Sequence, residues 1–198
     1  ISNSKVRAVQ IFRRSVDARK KPDIKIIYTV DVAVDGNEEK IIRKSGCKKA
    51  SVAKVNYYKP PKCDVVPDKR PVVVGFGPAG MFAALVLAIA GWKPLVLERG
   101  EDAQSRHEKV EKFFATGQLD VRSNVQFGEG GAGTYSDGKL KVGSHDKYKM
   151  KVLRALIEAG APEEILYSMD GHLGTDKLPS IIKATRERLI SLGAEFRF

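Results

Sequence analysis

The chain has 198 residues, 42% of them hydrophobic and 30% charged, with a formal net charge of +11. Such a composition suits a globular protein of one or two domains and excludes a collagen-like, low-complexity or disulfide-stapled chain. No apolar run reaches the roughly 18 residues that a spanning helix needs, and the opening ISNSKVRAVQ holds no apolar secretory core.

In chain order, KVRAVQIF (5–12) predicts a strand, and RRSVDARKK (13–21) a short basic helix or turn ended by Pro22-Asp23. IKIIYTVDVAV (24–34) is the clearest strand, with Ile24, Ile26, Tyr28, Val30, Val32 and Val34 on one face. DGN (35–37) turns the chain, and a short helix fits within 38–54. Residues 1–58 thus read as a small α+β module, expected to be the more stable part of the chain. The net charge sits here: residues 1–70 hold 18 Lys+Arg against 8 Asp+Glu, and residues 71–198 hold 17 against 16. A basic module can bind nucleic acid or another anionic partner through residues 1–58. A solvated lysine-rich surface accounts for the same charge, and the few aromatics (Phe12, Tyr28, Tyr57, Tyr58) offer no base-stacking platform. Residues 59–69 form a proline-containing linker. Cys47 and Cys63 match no metal or redox spacing and fit a reducing, cytoplasmic setting.

The most informative stretch follows. PVVVGFGPAG (71–80) is an apolar strand running into Gly75, Gly77 and Gly80, a G-x-G-x-x-G array, with an apolar helix from Met81 to Ala90 directly behind it. A second apolar strand, Pro94 to Leu97, ends in Glu98, 18 residues beyond Gly80. Strand, glycines, helix, strand and terminal acid in this order predict a βαβ dinucleotide-binding unit. Gly75 permits the turn, Gly77 lets a pyrophosphate approach the backbone, and Gly80 lets helix pack on strand. The pyrophosphate would meet free N–H groups at the positive end of the helix dipole, and Glu98 would accept from a ribose. An ordinary glycine-rich loop is the plain alternative.

Further on, 103–116 predicts a helix with Val110, Phe113 and Phe114 toward the core. SNVQFGEGGAGTYSDGKL (123–140) holds five glycines, implying backbone that bends sharply or lies against a flat ligand. Helices are predicted at 147–160, ended by Gly160, and at 178–193, stopped by Gly193; AEFRF then begins a strand. His107, His145 and His172 are isolated and read as structural or solvated, so no general acid or base is assigned.

Three segments together, RPVVVGFGPAGMFAAL, LERG with an arginine at 106, and NVQFGEGGAGTYSDGKL, resemble a family of FAD-dependent dehydrogenases among the glutathione-reductase-like flavoproteins. The resemblance covers about residues 70–145 closely and the first 60 more loosely. It implies that residues 70–198 are the first part of a Rossmann-like FAD/NAD(P)-binding domain, incomplete at its C-terminus because the family implies a longer chain. It implies FAD as cofactor and an oxidoreductase activity by hydride transfer, with NAD(P)H a candidate co-substrate and the small-molecule substrate unread. Carried over by position, Gly75, Gly77, Pro78, Ala79 and Gly80 resemble the pyrophosphate turn and Glu98 the ribose acid. Arg99 and Arg106 resemble adenosine- or phosphate-side contacts, a solvated pair being the alternative. Gly130, Gly131, Thr134, Ser136, Asp137, Gly138 and Lys139 resemble a flavin-proximal loop, although Asp-Gly is also a plain turn dipeptide. A second reading is a flavin- or nucleotide-binding regulatory protein whose basic module recruits an anionic partner. No cysteine follows the first βαβ unit, which disfavours disulfide-reducing relatives.

Overall fold

A computed structural model describes residues 5–54, 58–60, 65, 67–140, 148–168 and 171–198. Cys63 and His145 lie outside them.

The N-terminal residues form an antiparallel ribbon of β1 (Val6–Asp17) and β2 (Lys25–Val34), followed by helix α1 (Glu38–Ser45). Asn37 caps α1 by accepting from the Lys40 N–H, and Gly46 ends it in the left-handed conformation. Residues 13–17, expected as a helix or turn, extend β1 instead. Their partners are the β-branched and aromatic residues of β2: Arg14 opposes Tyr28 and Val16 opposes Ile26. Cross-strand pairing overrides the weak local preference of a short basic stretch. The apolar face of β2 is uncovered, with Ile26 59% and Tyr28 51% exposed. Near its middle the ribbon touches the rest of the chain through Arg14, whose N–H donates to Tyr167 O at 2.8 Å and whose guanidinium pairs with Glu164 at 3.1 Å. All buried apolar residues among those described lie between Phe76 and Ala194. The described residues of the N-terminal module therefore add no buried apolar residue to the core, which gives no support to the expectation that it is the more stable part.

The core is built on three parallel strands in the order β3 (Val72–Val74), β4 (Leu95–Leu97), β7 (Glu195–Arg197). Helix α2 (Pro78–Ile89) connects β3 to β4. Its buried residues Met81, Ala84, Leu85 and Ala88 recur at helical spacing and make one apolar stripe. Helix α5 (Leu178–Ser191) buries Ile181, Ile182, Thr185 and Leu189, then leads into β7. Val73, Val96 and Phe196 point from the sheet into the cluster that these helices share with Phe76. The opposite face of β3 stays open, with Val72 54% and Val74 80% exposed. A second cluster joins helix α4 (Lys149–Glu158), through Leu153 and Leu156, to Ile165, Leu173 and Ile181. A two-stranded pair, β5 (Lys139–Leu140) and β6 (Gly171–His172), borders it.

Helix α3 (Ala103–Thr116) has the predicted bounds, with Asp102 as N-cap and Gly117 in the left-handed C-terminal position. Val110 is buried on it, but Phe114 is 73% exposed and no core residue. The chain is therefore a mixed α/β protein with three small sheets and five helices among the described residues. None of those helices is long and apolar enough to cross a membrane.

Candidate functional site

The glycine turn stands between β3 and α2. Gly75 has φ +89°, a region that residues with a Cβ rarely adopt, and its N–H donates to Leu97 O at 2.6 Å. Phe76 is fully buried and meets Phe196 edge-on at 4.9 Å, which anchors the turn from below. Gly77 is the N-cap of α2 and provides no side-chain cap. Pro78 occupies the first turn, where its missing N–H costs nothing. The first-turn N–H groups of Ala79 and Gly80 thus face outward along the helix axis without a capping side chain, as an anion requires. A Cβ on Gly80 would lie 1.9 Å from Gly75 O, so only glycine permits this crossing of helix over strand.

Glu98 terminates β4 beside the turn. Its Oε2 accepts from the Phe76 N–H at 2.6 Å and its Oε1 from the Gly100 N–H at 2.9 Å. Each carboxylate oxygen has about two lone-pair sites, so each keeps one for a further donor. Gly100 belongs to the same junction, since a Cβ there would sit 2.4 Å from Gly128 Cα.

The glycine-rich segment passes directly over this junction. The Gly130 N–H donates to Phe76 O at 2.8 Å, and a Cβ on Gly131 would be 3.3 Å from Gly77 Cα. Arg106, carried by α3, is wholly buried beneath the segment. Its Nε donates to Asn124 O at 2.9 Å, Nη1 to Glu129 O at 2.7 Å and Gly131 O at 2.9 Å, and Nη2 to Val125 O at 3.0 Å. Its guanidinium carbon lies 4.9 Å from the centre of the Tyr135 ring. Burial pulls its pKa below the ordinary arginine value, while Tyr135, Glu98 and Glu129 act the other way. Arg106 therefore tethers the loop, and its donors are committed to carbonyl oxygens, not offered to a phosphate. Arg99 is likewise engaged, its guanidinium carbon 3.5 Å from the centre of the Phe127 ring.

Sequence reasoning missed Glu129, which is fully buried. Its Oε2 accepts from the Ala103 N–H at 2.6 Å, so the carboxylate sits at the N-terminus of α3. Its Oε1 lies 2.9 Å from Arg186 Nε, a charge contact without the alignment of a hydrogen bond. Burial raises its pKa above the usual carboxylate value, against the pull of the Ala103 N–H and Arg186. An acid placed among glycines was the only sequence signal for it.

The remaining predicted residues separate into two groups. Thr134 is buried in the short 3₁₀ turn Ala132–Tyr135, beneath Gly130, where a Cβ would meet its Oγ1 at 2.5 Å. Ser136 turns back, its hydroxyl donating to Gly133 O at 2.9 Å. Gly138, at φ +68°, packs on Gly174. Asp137 and Lys139 form an exposed ion pair at 3.0 Å, and Lys139 holds the Asp137 carboxyl below its usual pKa. Most glycines of this segment are thus explained by sharp bends and by packing on protein. His107 stacks on Tyr135 at 6.2 Å between ring centres, and His172 is exposed. No group of His, Cys, Asp and Glu among the described residues could hold a metal ion.

Lys109 braces the approach to the loop between Glu101 and Asp120, 2.7 Å from each. The Lys109 ammonium, with the N–H groups of Arg122 and Ser123, lowers the Asp120 carboxyl from 3.8 to about 2. A depressed carboxylate stabilises the fold above its unfolded pKa and ceases to as pH falls through its folded pKa. The stability difference between wild type and Asp120→Asn should therefore hold steady above pH 3.8 and shrink toward about pH 2, as followed by urea unfolding across that range.

Residues 1–33 match a family described as "Domain of unknown function (DUF8436)". Over 199 aligned residues the chain is 47% identical to an "Uncharacterized protein" of Clostridium beijerinckii (strain ATCC 51743 / NCIMB 8052). The match takes in 100% of this chain and 37% of that protein, so the chain spans little more than a third of its relative's length.

Proposed function

We propose that this chain carries the dinucleotide-binding part of an FAD-dependent oxidoreductase. One observation carries the reading: the uncapped N-terminus of α2, the Glu98 carboxylate and the 128–135 loop converge on Gly77. The pieces match an adenosine diphosphate in polarity and order. The N–H groups of Ala79 and Gly80 suit the pyrophosphate, and the free lone pairs of Glu98 suit the ribose hydroxyls. The loop is seated on the turn within van der Waals contact. The motif order that resembles the FAD-dependent dehydrogenases favours FAD over NAD as the resident group, within a Rossmann-like arrangement.

When bound, FAD would supply the hydride and electron transfer, with NAD(P)H as the candidate partner. The chain's own residues bind and orient. The turn 75–80 compensates the diphosphate charge through backbone donors and the α2 dipole. Glu98 positions the ribose while holding the turn through Phe76. Arg106 and Glu129 act through the loop as positioning residues and touch no ligand.

The test is the visible absorption spectrum of the purified full-length protein, with its ligand released and identified. A yellow protein that yields FAD is expected. Gly77→Val should purify colourless with its fold retained by circular dichroism. A Cβ at 77 would already be in contact with Gly131 Cα at 3.9 Å, and the two further methyls would fill the phosphate approach. A wild-type protein free of flavin, or a Val variant with full FAD content, would refute the reading.

A further inference from the structure

Edge strands of native sheets are blunted by charge, proline or bulges, or they are covered, because an open row of backbone donors and acceptors templates another strand. The two edges of the N-terminal ribbon differ in this respect. β1 carries Arg7, Arg13 and Arg14, and both register shifts against β2, at Arg7 and Phe12, put the extra residue on its side. Its outer edge is also in use, since the Arg14 N–H donates to Tyr167 O and Arg14 bridges to Ser168. β2, KIIYTVDVAV, has no proline or glycine, adds no extra residue at either shift and holds one interior charge, Asp31. Every residue from Lys25 to Ala33 is exposed.

Antiparallel pairs alternate between those whose backbone groups bond each other and those whose groups point away from the ladder. Arg14 opposes Tyr28, and the Arg14 N–H leaves the ribbon for Tyr167, so this pair is of the outward kind. At a period of two, the N–H and C=O groups of Ile26, Tyr28, Val30 and Val32 line the open edge, and their side chains share the apolar face. We propose that β2 pairs antiparallel with β2 of a second copy about a two-fold axis at Tyr28. That register sets Tyr28 against Tyr28 and Ile26 against Val30 on the apolar face. On the other face it sets Lys25 against Asp31 twice. An axis at Ile27 would bring Asp31 opposite Asp23, and one at Thr29 would bring it opposite Ile27, so the charges select Tyr28. Lys25 meets Asp23 at 2.8 Å in an exposed pair, and its ammonium keeps further donors for the facing Asp31. The joined ribbons form a four-stranded sheet, whereas a lone two-stranded ribbon is marginal in water. Its outer edges are then the two guarded β1 strands, so the assembly closes at two copies.

Sedimentation velocity of the full-length protein should find a dimer at micromolar concentration. Val30→Pro deletes one outward N–H and leaves the ladder to β1 intact, so it should give a monomer with its circular dichroism retained. Lys25→Asp and Asp31→Lys should each weaken the dimer by about tenfold or more, because two facing pairs become repulsive. An equimolar mixture of these two variants should dimerise again, since each then meets the opposite charge on the other. A dimer unaffected by all three substitutions would overturn the proposal, and so would a mixture that stays monomeric. A monomeric wild type would overturn it too, and slow hydrogen exchange at the Tyr28 and Val30 amides of that monomer would assign the edge to a strand of the same chain.

Discussion

Gly80→Ala is expected to cost the fold about 3 kcal/mol or more, since an added Cβ there meets backbone more closely than at any other described glycine. The added carbon would stand 1.9 Å from Gly75 O and 3.0 Å from Gly75 C, and both are backbone atoms. They cannot shift cheaply. The Gly75 N–H is bonded to Leu97 O, and the next N–H, of Phe76, to Glu98. Relief would require α2 to lift from β3 and expose the stripe that contains Ala84 and Ala88. Alanine's better helix propensity returns only about 1 kcal/mol, so the clash dominates. Gly75→Ala is the useful contrast: nothing lies within 4 Å of its Cβ, and only the strain of φ +89° opposes it. Urea denaturation should rank wild type above Gly75→Ala and Gly75→Ala above Gly80→Ala. Equal stability of Gly80→Ala and wild type would mean that helix and strand are not in this contact.

Arg106→Leu should destabilise by about 3–5 kcal/mol, and Arg106→Lys should rescue little of it. The guanidinium joins five carbonyl oxygens, those of Asn124, Val125, Gly128, Glu129 and Gly131, from three nitrogens spread across a rigid plane. A lysine ammonium places all its donors on one atom and cannot span them. Leucine would leave buried carbonyls without partners and collapse the support beneath Gly128, where a Cβ would already be 2.4 Å from Arg106 Cδ. Limited proteolysis should open both variants within 124–134, with a lowered melting temperature. A protected loop in Arg106→Leu would show that the segment holds itself.

How far the site was legible depended on the sequence distance of the interactions. The glycine array, α2 and Glu98 were readable because turn, helix and strand follow one another, with Gly75 at positive φ and Gly80 against the Gly75 backbone. The bounds of α3 were readable because Asp102 and Gly117 are local caps. The role of Arg106 was not, since its acceptors lie 18 to 28 residues downstream, and a charged residue near a phosphate motif invites a phosphate role. Phe114 was misjudged because helical spacing shows that residues share a face without showing which face is covered. The extension of β1 through residue 17 was hidden because the pairing with β2, rather than composition, made it strand.

By itself the sequence determined the order of elements in the core, the position of the glycine turn and the acid at the end of β4. These follow from apolar periodicity, from glycine's freedom at positive φ and from helix caps, all of which act within a few residues. Only the tertiary structure decided that the 128–138 glycines mostly make room for Gly77, Arg106, Ile182 and Gly174. It also decided that Arg106 and Glu129 organise the loop from beneath. The physical reason is that close approach is a property of segments meeting in space: a glycine in a sequence shows that room is needed, and only the neighbour that would collide shows for what.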